Sequence, residues 1–217
     1  MARSDSPPHV LRNRTRIAQA AARLIAEHGL SDWRLAKRKA CRELGLPDHE
    51  SLPGNEEVEQ ALRDYNSLFR AASQPASLRL QRLEALRWME RLSHWDPVLT
   101  GAVAAGWATE HSEVRLELEA EDAKAVELAL INAGIAYAQA PTQGGEAQTP
   151  QLRIESQGPT VRLVILSPQQ RRNRPRRDRS GLSDERLALA QLKSLLATEN
   201  DGDVSLAATP LQPGRNR

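Results

Sequence analysis

Glu113 and Arg115 stand two residues apart in Ser112-Glu113-Val114-Arg115, so on a β-strand both side chains leave the same face. A third charged residue of the same kind, Arg162, sits inside a second apolar run, Thr160 to Leu166. Carboxylates at these positions would suit a divalent cation, because magnesium takes hard oxygen ligands in near-ideal octahedra. A guanidinium offers no lone pair and keeps its charge, so Arg115 cannot be a ligand and would repel a cation held beside Glu113. Arginine at two of the three positions points to the opposite chemistry, a planar fork of donors matched to phosphate. Glu155 is the nearest other acid, and it follows a different predicted strand, Leu152 to Glu155. Pairing of Arg115 and Arg162 with Glu113, Glu117 or Glu155 across a sheet is the plain structural alternative.

The stretch leading to these residues carries Gly101 and Ala102 at the end of one apolar run, Gly106 in the turn that follows, and Ser112 just before the next run. In that order it resembles the signature of the polymerase-beta-type nucleotidyltransferases. There a strand ends in Gly-Ser, a turn carries a second glycine, and the next strand opens Ser-Asp-x-Asp, with the third acid on a later strand. The resemblance covers roughly Asp96 to Leu166 and implies a small mixed sheet with helices. Here Ala102 replaces the serine, Glu113 the first aspartate, Arg115 the second and Arg162 the third acid. A nucleotidyl transfer by two magnesium ions roughly 4 Å apart therefore lacks its bridging carboxylates. The block from Arg34 to Ala40 and from Leu52 to Glu57 is similar to one that precedes such domains in uncharacterised bacterial proteins of this kind. The resemblance thus implies a catalytically degenerate nucleotidyltransferase-like protein with no cofactor. Magnesium enters only for an active enzyme in which Glu113 and Glu155 improvise a site.

The expected architecture is α+β: a helical region over 12–95, a nucleotidyltransferase-like part over 96–198, and flexible tails at 1–11 and 199–217. A first helix runs from Thr15 to His28, with Ile17, Ala18, Ala21, Leu24 and Ile25 on one face and Gly29 at its end. Ser31 is placed to cap a second helix with an apolar stripe of Leu35, Ala36, Ala40 and Leu44, stopped by Gly45 and Pro47. Its other face holds Arg34, Lys37, Arg38, Lys39 and Arg42 with no acid before Glu43. Asn55 caps a third helix with stripe Val58, Ala61, Leu62, Tyr65, Leu68 and Phe69, and Ser77 to His94 forms a fourth with Leu83, Leu86, Met89 and Leu92. Strands are expected over Val98 to Val103, Val114 to Leu118, Ile135 to Tyr137, Leu152 to Glu155 and Thr160 to Leu166, the last two paired. A helix over Glu121 to Asn132 follows the second strand, and a final helix from Ser183 carries Leu187, Leu189, Leu192, Leu195 and Leu196.

Arg171, Arg172, Arg174, Arg176 and Arg177 belong to an extended arginine-rich loop over 168–182. With Arg34, Lys37, Arg38, Arg42, Arg115 and Arg162 they form the candidate set for phosphate or nucleic-acid contact, RNA being the natural partner. A protein partner could also use the last helix or the arginine-rich loop. Net charge is only +2, so the placement of the cations matters more than their sum. No apolar run reaches the roughly 18 residues a membrane-spanning helix requires, and the lone Cys41 excludes an internal disulfide, which suits a reducing cytoplasm. Three other functions fit parts of the chain. Thr15 to Leu46 superficially resembles the opening helices of a TetR-like, helix-turn-helix DNA-binding regulator, without its recognition turn. An active nucleotidyltransferase and a structural subunit of a complex are the others. Trp107 is placed either to stack on a base or to cover the sheet edge.

Overall fold

The computed structural model describes residues 8–30, 32–47, 51–140, 149–155, 158–173 and 185–207. Three alanine-rich helices open it. Helix α1 (Pro8–His28) starts earlier than the tail expected over 1–11, its proline occupying a first turn that needs no backbone donor. It ends at Gly29, whose φ of 65° favours glycine. Helix α2 (Trp33–Glu43) is capped by Asp32, whose carboxylate accepts from the backbone N–H groups of Arg34 and Leu35. Ser31, the expected cap, lies outside the described residues. Helix α3 (Asn55–Phe69) is capped at Gly54 rather than Asn55, with the Glu57 carboxylate accepting from the Gly54 N–H at 2.6 Å. Ile17, Ala21, Ala22, Ala36, Ala40, Val58 and Leu62 are wholly buried among these helices, the small side chains allowing close approach. Cys41 is buried there too, as its place on the apolar side of the helix predicts.

Helix α4 (Gln74–Arg91) carries Pro75 in its first turn and leads through a single 3-10 turn (Ser93–Trp95) into β1 (Val98–Thr100). The rest follows as α5 (Ala102–Ala105), β2 (Val114–Glu119), α6 (Ala123–Asn132), β3 (Ala138–Gln139), β4 (Gln151–Ile154), β5 (Val161–Leu166), α7 (Pro168–Arg172), β6 (Leu187–Ala188) and α8 (Leu189–Ala207). Among the described residues these make eight α-helices and a six-stranded sheet in the order β3-β4-β5-β2-β1-β6. β2 and β5 run parallel, and every other neighbouring pair is antiparallel. The protein is thus α+β with a mixed sheet, and β4 and β5 pair as expected.

Alternation along the strands sends one set of side chains into the main core. Leu99, Val114, Leu116, Leu118, Leu152, Ile154, Val161, Leu163 and Ile165 meet Met89 and Leu92 of α4, Val126 and Leu130 of α6, and Leu192 and Leu196 of α8. Burying each large aliphatic side chain contributes about 1.5–3 kcal/mol, so this layer carries most of the sheet's stability. α4 therefore belongs with the sheet, while the turn after α5 reaches back through Ala105 and Trp107 into the helical cluster. The expected strand over Ile135 to Tyr137 forms later, at Ala138 and Gln139. Ile135 and Tyr137 pack on the core instead, with the Tyr137 hydroxyl donating to Glu127 of α6 at 2.9 Å.

Candidate functional site

The sheet face turned away from the helices α4, α6 and α8 brings together the charged residues that the sequence pattern singled out. Parallel pairing of β2 with β5 sets Arg115 directly beside Arg162, and antiparallel pairing of β4 with β5 sets Arg153 on the other side of Arg162. Directly opposed residues share a face, so Arg153, Arg162, Arg115 and Thr100 form one row across four strands. Neighbouring strands lie roughly 4.8 Å apart, so the three arginines stand on consecutive strands of one face.

Glu113 answers this row. Its Oε2 accepts from Nε of Arg162 at 2.6 Å, and its Oε1 lies 3.3 Å from Nε of Arg153. Arg162 also donates from Nη1 to the side-chain oxygen of the buried Gln151 at 3.2 Å, and Arg153 lies 3.6 Å from Glu155. Arg162 is thus engaged by an acid and an amide, as the plain pairing alternative anticipates. Arg115 has a partner of its own and is not a free guanidinium. Glu155 reaches only Arg153 and stands apart from the Glu113 to Arg162 contact.

These donors do not fit a magnesium site. Of Glu113, Arg115 and Arg162, the one carboxylate spends both oxygens on guanidiniums, and the other two positions present positive charge. Among the described residues no group of three His, Cys, Asp or Glu side chains is gathered around a point.

The glycine-bearing turn beside the row is held from behind. Gly101 has φ 73° and ψ −154°, a conformation that only glycine adopts readily, and a Cβ there would meet the Arg115 side chain at 3.8 Å. Ala102 opens α5, and Gly106 closes it at φ 82°. Side chains of α3 and α4 then bond one carbonyl after another. Arg63 donates to Ala105, Asn66 to Trp107, Gln74 to both Gly106 and Ala108, and Gln81 to both Thr109 and Ser112. The Ser112 hydroxyl accepts from the Thr109 N–H at 3.0 Å, which closes the turn before β2. Trp107 is buried edge-on against Trp33 at 5.4 Å, so it covers neither a base nor the sheet edge.

Sequence reasoning missed this clamp. Its signal is present: Asn66 follows Val58 and Leu62 at four-residue steps, and Gln81 lies between Leu78 and Ala85 on the buried stripe of α4. A polar side chain in an apolar stripe needs a partner, and here the partners are backbone carbonyls. Of the expected α4 stripe, Met89 and Leu92 are buried and Leu86 packs on the core, while Leu83 is exposed and Gln81 and Arg82 turn inward before it.

The remaining candidates separate into used and unused cations. Lys37 donates from Nζ to the Asn55 side-chain oxygen at 2.7 Å and to the Pro53 carbonyl at 3.1 Å, and burial holds its amine below the usual lysine range. Arg171 lies in α7, not in an extended loop, and its guanidinium binds Asp96 at 2.6 Å and approaches Glu119 at 3.4 Å. Arg172, at the end of the same helix, donates to the Pro168 carbonyl. Arg174, Arg176 and Arg177 lie outside the described residues. Arg34, Arg38 and Arg42 are exposed along α2, and among the described residues no ion pair or hydrogen bond engages their guanidiniums. No family model matches this chain, and no curated protein matches its sequence.

Proposed function

We propose that this chain is a catalytically degenerate nucleotidyltransferase-like module that binds RNA or another phosphate-rich partner in the cytoplasm and transfers no nucleotide. The observation that carries the reading is the placement of Arg115 beside Arg162 on adjacent parallel strands. In the resemblance these are two of the three acidic positions, and their adjacency on one face is what a shared metal site would require of acids. The turn between β1 and β2, with positive φ at both Gly101 and Gly106, supports the same reading. Replacement of acids by guanidiniums turns a cation site into a surface suited to phosphate, through charge-assisted donors rather than a bridging metal.

A helix-turn-helix regulator has less support. α2 and α3 are joined by residues 44–54, whereas a recognition turn takes three or four residues.

Two measurements test the proposal together: retention of labelled RNA on filters over a salt series, and incubation with each labelled nucleotide plus magnesium or manganese. Binding that weakens steeply with salt, and no transfer of label, is the expected result. Undetectable or salt-insensitive RNA binding would remove the binding half. Label transfer that Glu113→Ala abolishes would replace the proposal with an active enzyme.

A further inference from the structure

Among the described residues, helix α2 gathers three exposed arginines that no ion pair engages. Arg34, Arg38 and Arg42 recur every four residues, so they climb one ridge with steps of about 6 Å along the axis. Ala36 and Ala40, two residues further on in each step, fall on the far side of the helix and are wholly buried against α1 and α3. The ridge is therefore held outward by its own packing.

Among the described residues, the acids that flank the ridge in the chain are committed elsewhere. Asp32 spends a carboxylate oxygen on the N–H groups that start α2, and Glu43 pairs with Arg23 of α1 at 3.4 Å. Lys37, the other cation of the expected basic face, is turned toward Pro53 and Asn55. The sheet arginines contrast with this: Arg162 and Arg153 share Glu113, and Arg171 is bound by Asp96. Contact with phosphate on the sheet would first have to break internal pairs, and contact on α2 breaks none among the described residues.

We infer that α2 is the surface on which the phosphate backbone of a nucleic-acid strand first docks, through Arg34, Arg38 and Arg42, ahead of the internally paired arginines of the sheet. The inference rests on the reading that the partner is phosphate-rich and assigns it a surface. Forked donors at steps close to the separation of successive phosphates suit one strand of backbone. RNA and DNA present the same phosphate chemistry, and separate probes tell them apart.

The test uses the full chain with fluorescent 20-nucleotide oligouridine and oligothymidine, and with polyglutamate of similar length. Wild type is compared with the triple variant Arg34→Gln, Arg38→Gln, Arg42→Gln and with a control of equal charge loss on α4 and α8, Arg87→Gln, Arg91→Gln, Lys193→Gln, all three exposed cations, each protein checked by circular dichroism. Exposed Arg-to-Gln changes leave the stem and the helix propensity in place. Three lost phosphate contacts should lower the slope of log affinity against log salt by about 2 for a single strand, with weakening on the order of tenfold or more at low salt. The control triple on α4 and α8 should bind as wild type does. Wild-type binding by the α2 triple variant, or an equal loss in the control triple, overturns the inference and leaves the proposed function standing. Polyglutamate bound as tightly as the oligonucleotides, with the same loss in the triple variant, overturns it in favour of an acidic protein partner. Failure of wild type to bind either oligonucleotide overturns both.

Discussion

At the scale of single residues, Glu113 decides how the sheet face reads. Its two oxygens join Arg162 and Arg153, and it keeps only part of its surface in water. Glu113→Gln should lower unfolding stability by about 1–3 kcal/mol, because it removes the charged hydrogen bond with Arg162 and the ion pair with Arg153 and leaves two guanidiniums facing each other. Urea denaturation measures this, and a change under about 0.5 kcal/mol would mean that the pairs contribute little in solution. Glu57 gives a separate, pH-dependent handle. The hydrogen bond from Arg14 holds its carboxyl below the usual glutamate range, and the Gly54 N–H adds to this. A depressed folded-state value means that the unfolded chain takes up the proton first. The pair's stabilisation is full above roughly pH 4.3 and is lost as pH falls through the lower folded-state value. Glu57→Gln should therefore lose stability at neutral pH and flatten the acid limb, as read by thermal melts across pH 2 to 7. A parallel downward offset at every pH would contradict the linkage.

At the scale of elements, the turn between α5 and β2 owes its shape to α3 and α4. Gln81 is wholly buried and bonds the carbonyls of Thr109 and Ser112, so Gln81→Ala leaves both acceptors without that donor. A cost of about 1–3 kcal/mol follows, together with faster amide hydrogen exchange in the 105–112 turn while the strands stay protected. Equal acceleration throughout the sheet would show instead that the turn opens only when the whole domain does. Much of this scale was legible beforehand. Period-two runs marked β2, β4 and β5, and period-four stripes marked α1 to α3, since each must hide one face, but the stripe residues Leu35, Leu68 and Phe69 stay exposed. Helix caps were less legible, because Asp32 and Gly54 compete with equally plausible neighbours one residue away. The α4 stripe held at Leu86, Met89 and Leu92 and failed at Leu83, because polar Gln81 and Arg82 occupy the buried side of the helix there.

At the scale of the whole molecule, two hydrophobic clusters share a hinge of side chains instead of a linker. α1, α2 and α3 form one with Ala105 and Trp107, and the sheet with α4, α6 and α8 forms the other. Ala102 touches both, and the carbonyl clamp ties α3 and α4 to the same turn. Unfolding should accordingly be a single transition, with helix content by circular dichroism and tryptophan fluorescence changing together. Two separated transitions would show that each cluster stands alone. No helix among the described residues is long and apolar enough to cross a membrane.

The residues alone determined the alternation that puts Glu113, Arg115 and Glu117 on one face, the shortage of carboxylates for magnesium, and the density of cations on α2. These follow from local periodicity and from what a side chain can ligate. Only the tertiary structure decided which cations are spoken for. Arg162 meets Glu113 because β5 lies parallel to β2, and Arg171 meets Asp96 although 75 positions separate them in the chain. Lys37 turns inward because α3 begins beside it, while Arg34, Arg38 and Arg42 face outward because Ala36 and Ala40 are packed on α1 and α3. Charge is a property of the sequence, but its availability depends on long-range pairing, and local patterns carry no information about partners that distant.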